Sequence, residues 1–169
     1  SATRPSSAPQ DLEVLPRYRE RRIDADKDVG IQEIFKMLAT DDTRTEAIAS
    51  EIEAAFLAGR KVLVLTERTE HLAAIQTALV NKVAEPFVLH GRMSRKQRAS
   101  LVAALDALPG DAPRVLLSTG KLVGEGFDHP ALDTLVLAMP VSWKGTLQQY
   151  AGRLHRDHAE KTSVKIIDF

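Results

Sequence analysis

The sequence predicts an α/β domain with a mostly parallel central sheet, and three observations carry that expectation. Apolar runs that suit strands buried on both faces alternate with stretches of helical periodicity. Capping and turn residues punctuate the joints between them. The residues that look chemical fall just after the apolar runs, where ligands gather in open parallel sheets.

Taken in order, Ser1 to Gln10 is polar and Pro-rich and reads as disordered. Asp11 to Asp28 is charge-dense, with Arg17, Arg19, Arg21 and Arg22 near Asp24, Asp26 and Asp28; it reads as an arm or an interdomain linker. Residues 1–28 are therefore set apart from a folded unit over 29–169. Ile31, Ile34, Phe35 and Leu38 recur at helical spacing. Asp41 or Asp42 suits the cap of the next helix, with Ala47, Ile48, Ile52, Ala55 and Phe56 as its apolar stripe and Gly59 as its stop.

Lys61 to Thr66 is a near-continuous apolar run and reads as a strand, followed by a helix over about Thr69–Asn81 with Leu72, Ile75, Ala78 and Leu79 inward. Pro86 to Leu89 is a second strand, and Ser94 caps a helix carrying Leu101, Val102 and Leu105. Arg114 to Ser118 is a third strand, Gly120 to Asp128 a Gly-rich loop, and Leu132 to Ala138 a fourth strand. A helix around Gln149–Arg156 and a last strand over Val164–Ile167 complete the alternation expected of such a sheet.

The totals narrow the class. The 169 residues suit one domain with a sizeable core. Lys plus Arg and Asp plus Glu are both 23, which argues against a histone-like polycation while leaving room for a local basic patch. The chain has no cysteine, hence neither a disulfide framework nor a thiolate metal site, a composition compatible with a cytoplasmic protein. No apolar run approaches the length of a membrane span, so a membrane partner is not expected. The polar start and the abrupt apolar end at Phe169 suggest a piece of a longer protein.

The most informative segment is Gln149-Tyr150-Ala151-Gly152-Arg153-Leu154-His155-Arg156. On a helix Gln149, Arg153 and Arg156 share one face, while Leu147, Tyr150 and Leu154 suit a core on another. Two planar, permanently charged groups on a rigid element are what a developing phosphoryl charge requires. The plain alternative pairs Arg153 and Arg156 with Asp157 or Glu160 on a solvated surface. Gly152 is costly inside a helix, by about 1 kcal/mol against Ala, unless a backbone or ligand approaches closely there.

Two further segments stand out. Ser118-Thr119-Gly120-Lys121-Leu122-Val123-Gly124-Glu125-Gly126-Phe127-Asp128 is Gly-rich, but it is neither a Walker A loop nor a dinucleotide fingerprint. Leu122 follows Gly120-Lys121 where Ser or Thr is required, and His129 stands where a third glycine would. His90-Gly91-Arg92-Met93-Ser94-Arg95-Lys96-Gln97-Arg98 places four cations at the start of a helix. The helix dipole disfavours cations there, so they and the free backbone N–H groups suit an anion site; the alternative is a solvated basic face.

Lesser signals are read both ways. The stretch Thr66-Glu67-Arg68-Thr69-Glu70-His71 is either a ligand-touching loop or a simple capped helix start. Trp143 either stacks on a ligand or packs beneath the following helix. His155 and His158 lie at i, i+3 with no third ligand, so no metal site is expected.

The spacing Q-x-x-G-R-x-x-R matches the arginine-finger motif of superfamily 2 helicases, and residues from about Ile31 to Phe169 resemble the second, C-terminal RecA-like domain of these DEAD/DEAH-type enzymes. Leu132 to Leu135 and Met139 to Tyr150 resemble the subgroup found in bacterial defence and restriction systems. The resemblance implies a three-layer RecA-like (P-loop NTPase-like) fold. It also implies that ATP and Mg²⁺ are held mainly by an N-terminal RecA-like domain of the same protein, with no cofactor in the isolated domain.

On this resemblance Arg153, Arg156 and Gln149 are the catalytic residues. Gly124, Glu125, Gly126, Asp128 and Gly152 lie near the nucleotide, and Thr119, His90, Gly91, Arg92 and Thr66 contact nucleic acid. Gln149 stands where many RNA-directed members carry His, which favours DNA as the partner. The isolated domain is then expected to be inactive. A competing expectation is a non-catalytic nucleic-acid-binding module on the same fold, and a third is a self-sufficient small α/β enzyme, for which the chain lacks a phosphate cradle.

Overall fold

The structure, a computed structural model, describes residues 11–16, 30, 33, 41–119, 127, 129–138 and 163–168, with the backbone alone for 11–16 and 163–168. Its elements are β1 (Asp11–Pro16), α1 (Asp42–Leu57), β2 (Lys61–Thr66), α2 (Thr69–Ala78), β3 (Phe87–Leu89), α3 (Arg95–Asp106), β4 (Arg114–Thr119), β5 (Thr134–Leu137) and β6 (Ser163–Asp168).

The six strands form one sheet in the order β1-β6-β5-β2-β4-β3. All five pairings are parallel. From β2 the chain moves outward to β3, returns to β4, and then crosses to β5 on the other side of β2. Strand order thus reverses about β2, the position beside which α/β sheets collect ligands.

Both faces of the sheet are covered, which explains the continuous apolar runs. Leu63 and Leu65 of β2 join Leu116, Leu135 and Leu137 in one core with Leu89 of β3 and Leu105 of α3. The alternate residues Val62, Val64, Val115, Leu117 and Val136 join Ile48, Ile52, Leu72, Ile75 and Leu79 of the α1–α2 side. The period of two along each strand sends successive residues into opposite cores. These side chains are essentially inaccessible. Burying one such group stabilises the fold by about 1.5–3 kcal/mol.

Local chemistry sets the helix ends. Asp41 is the N-cap of α1, its Oδ1 accepting from the Arg44 N–H at 3.1 Å. The helix ends as the sequence predicts: Gly59 takes φ +83° and its N–H donates to Phe56 O, while Arg60 N–H donates to Ala55 O. This is a Schellman turn, and glycine is the residue that adopts its left-handed position without strain. Ser94 and Gln97 form a reciprocal capping box at the start of α3, with bonds of 3.1 and 2.9 Å. The α1 stripe is Ile48, Ala49, Ile52 and Ala55; Ala47, expected in it, is exposed.

One expectation is overturned in part. Asp11–Pro16, read from sequence as arm or linker, is a strand whose six residues pair in register with Ser163–Asp168. Its charge density hid a short alternation of Leu12 and Val14 between Asp11, Glu13 and Leu15. Pro16 closes it at an outer edge, where the missing N–H is tolerated. The expected helix around Ile31–Leu38 lies outside the described residues.

Candidate nucleic-acid interface

The carboxyl rim of the sheet gathers three of the predicted segments. Thr66 ends β2 and Thr119 ends β4, and the two are register partners. Leu89, the last residue of β3, pairs with Ser118. His90 therefore begins its loop beside Thr119. Three chain segments far apart in sequence come to one edge at adjacent strands.

The His90–Ser94 loop has a defined shape. Arg92 N–H donates to His90 Nδ1 at 3.2 Å, and Met93 N–H donates to His90 O at 3.3 Å. With Nδ1 accepting, the proton of the neutral ring sits on Nε2. Gly91 and Arg92 are exposed and His90 is half-buried. A Cβ built on Gly91 would meet nothing within 4 Å, so packing does not demand a glycine there. Arg95 and Lys96 are exposed on the first turn of α3. An exposed cationic turn suits an anionic polymer.

Thr66 behaves differently from the sequence expectation. It is fully buried, and its Oγ1 lies 2.9 Å from His71 Nδ1. A hydroxyl so placed offers no surface to a phosphate, whereas Thr119 is half-buried at the same rim. His71 is also fully buried. Burial first, and then the Arg44 guanidinium, push its pKa down from 6.5 to about 4, against an opposing pull from Glu70. His71 is neutral at physiological pH.

The opposite, amino edge of the sheet carries polar clusters that are internally satisfied. Asp133 Oδ1 accepts from Lys61 N–H at 2.9 Å and from Thr134 Oγ1 at 3.0 Å. Arg60 donates from Nε to Thr134 Oγ1 at 2.7 Å and from Nη2 to Asp133 O at 3.0 Å. Arg114 is buried and donates to Leu105 O, Ala112 O and Pro109 O. Burial lowers its pKa, while Asp133, Asp106 and Asp111 raise it.

Arg114 Nη1 also donates to His129 Nε2 at 2.9 Å, and His129 Nδ1 lies 3.0 Å from Asp106 Oδ1. Because Arg114 only donates, Nε2 must accept; the imidazole proton is then on Nδ1 and goes to Asp106. Sequence reading singled out neither Arg114 nor His129 as members of a network, because their partners come from the end of α3 and from separate loops. Phe127 and His129 are both buried.

Gln149, Gly152, Arg153, Arg156, Gly124, Glu125, Gly126, Asp128 and Trp143 lie outside the described residues.

Residues 44–158 match the family described as the helicase conserved C-terminal domain. The chain belongs to that family. Relatives include the transcript termination protein A18 of Yaba monkey tumor virus (strain VR587), 26% identical over 134 residues, 78% of this chain and 27% of the relative. The A18 protein of Fowlpox virus (strain NVSL) is 30% identical over 136 residues, 79% of this chain and 29% of its own length. The chain thus spans little more than a quarter of the curated relatives it matches.

Among solved structures, T4 UvsW aligns with a TM-score of 0.67 at 19% identity, over 95% of this chain and 32% of that one. The C-terminal part of the Fun30 ATPase domain aligns with a TM-score of 0.58 at 18% identity, over 68% and 36% of the respective chains. These likenesses agree with the RecA-like α/β fold. Among the described residues no helix is long and apolar enough to cross a membrane.

Proposed function

We propose that this chain is the C-terminal motor domain of an ATP-dependent nucleic-acid helicase or translocase. It would complete, with Arg153 and Arg156, a nucleotide site held mainly by an N-terminal RecA-like domain. It would hold the nucleic-acid backbone through Thr119, His90, Gly91 and Arg92. The observation that carries the reading is the meeting of the β3, β4 and β2 ends at one rim, in a chain whose family match runs through the Gln149–Arg156 segment.

The described rim is suited to phosphates. It offers exposed cationic side chains at Arg92, Arg95 and Lys96 and a half-buried hydroxyl at Thr119. Contacts of this kind position a polymer without reading its bases, so binding should be strong at low salt and nearly sequence-independent. That the viral relatives are transcript termination proteins supports a nucleic-acid partner. Gln149 favours DNA over RNA, and the likeness of the Leu132–Tyr150 segment supports a place near the helicases of bacterial defence and restriction systems.

ATP, with Mg²⁺, would supply the phosphoryl-transfer chemistry. The segments of this chain expected to face it lie outside the described residues, and their roles rest on sequence. Arg153 and Arg156 would meet the charge that develops on the transferred phosphoryl group, a contribution of about 10³ to 10⁵ in rate for an arginine finger.

The test is nucleic-acid-stimulated ATPase activity of the full-length protein. Arg153→Ala and Arg156→Ala should each abolish it, and Arg92→Ala should raise the nucleic-acid concentration needed for half-maximal stimulation. Unchanged hydrolysis in both finger variants would overturn the arginine roles. Salt-dependent binding with no ATPase activity in the intact wild-type protein would favour a non-catalytic binding module.

A further inference from the structure

A buried, neutral imidazole beside the rim is not explained by packing. His71 sits in the first turn of α2, and its Nδ1 meets Thr66 Oγ1 across the short turn Glu67-Arg68 that joins β2 to α2. Its Nε2 is buried without a hydrogen-bond partner among the described residues. Leaving a buried ring nitrogen unsatisfied is unfavourable, and an apolar side chain of similar shape would avoid it. What the imidazole provides that an apolar group could not is the bond to Thr66.

That bond lies where it matters for the rim. Thr66 is the last residue of β2 and the register partner of Thr119, the rim hydroxyl expected at a phosphate. Thr66 and Thr119 thus occupy equivalent ends of neighbouring strands with opposite duties, one turned to His71 in the interior and the other half-exposed. The bond closes the β2–α2 turn into a ring held at both ends, fixing Glu67 and Arg68 as well as the strand end against which Thr119 is aligned.

We infer that His71 is a positioning residue for the nucleic-acid grip, acting through Thr66 to hold the ends of β2 and β4 in place at the rim. This rests on the proposed function of the same rim. The ring acts in its neutral form, with Arg44 and Glu70 as the charged groups that bear on it.

The test uses the full-length protein and measures ATPase stimulation by DNA and RNA oligonucleotides of one sequence, alongside thermal melts. His71→Phe and Thr66→Val each remove the bond while keeping shape. Each should raise the half-stimulating concentration by up to about tenfold, the equivalent of one net hydrogen bond. The maximal rate at saturating nucleic acid should hold within about twofold of wild type. The double variant should be no worse than either single one, because both remove one bond. His71→Asn, whose side-chain amide falls near the Nδ1 position, should restore most of the affinity.

If both single variants leave the half-stimulating concentration unchanged while Arg92→Ala raises it, the inference fails and the reading of the rim survives. If Arg92→Ala is also without effect, the reading of the rim itself has failed. Additive losses in the double variant would also overturn the inference. Should His71→Phe not fold, Thr66→Val alone decides, since it removes one hydroxyl and an unchanged affinity there contradicts the strut.

Discussion

Thr66 and Thr119 are register partners at the carboxyl ends of β2 and β4, yet Thr66 is fully buried against His71 and Thr119 is half-exposed. The same residue type at the same height of one sheet is thereby divided into a support and a contact. The division follows from what comes next in the chain: β2 turns after two residues into α2, which brings His71 back beneath Thr66.

Gly91→Ala separates binding from folding. The position has open space for a Cβ and is not among the positive-φ glycines described. Alanine should therefore leave stability unchanged or raise it by about 0.4–1 kcal/mol, through the unfolded chain. If a phosphate approaches this backbone closely, oligonucleotide affinity by fluorescence anisotropy should nevertheless fall. Equal affinity in the two proteins would remove Gly91 from the interface.

The neutral burial of His71 predicts a pH dependence with a definite sign. Its folded pKa of about 4 lies below the unfolded value of 6.5, so the unfolded chain binds the extra proton first as pH falls. The stability associated with the neutral ring is complete above pH 6.5 and is lost progressively between 6.5 and about 4. It amounts to roughly 3 kcal/mol for the full shift. Urea denaturation of wild type and His71→Phe over this window should show a shallower pH slope in the variant. Parallel slopes would mean that the ring is not held neutral in the fold.

The Asp106–His129–Arg114 network predicts a purely structural phenotype. Arg114→Ala strips donors from Leu105 O, Pro109 O and Ala112 O and leaves His129 Nε2 without Arg114. The loss should be about 3 kcal/mol, in the range for breaking a buried charge-assisted network. His129→Ala should cost less, since Arg114 keeps its carbonyl partners. Chemical denaturation checks both. A wild-type midpoint in Arg114→Ala would show that water replaces the network without cost.

Ser94→Ala probes the start of α3. Removing the hydroxyl that accepts from Gln97 N–H breaks the capping box and should destabilise the protein by about 1 kcal/mol. The cationic first turn, already disfavoured by the helix dipole, then loses its cap, and the Gln97 and Arg98 amides, which donate to Ser94, should exchange faster with deuterium. Unaltered protection would mean that tertiary contacts alone hold this turn.

By itself the sequence determined the α/β alternation, the buried strand runs, the Gly59 stop and the Ser94 cap. Each is set by neighbours within a few residues, through periodicity, capping or a permitted φ. The segments that reach the rim were also legible, because ligand-facing residues follow strand ends in any parallel sheet. Only the tertiary structure decided that Asp11–Pro16 is a strand, because a marginal alternation becomes one when β6 supplies its hydrogen bonds. It alone showed that Thr66 is buried and that Asp106, His129 and Arg114 meet, since burial and hydrogen-bond partnership depend on contacts between segments that the order of residues does not specify.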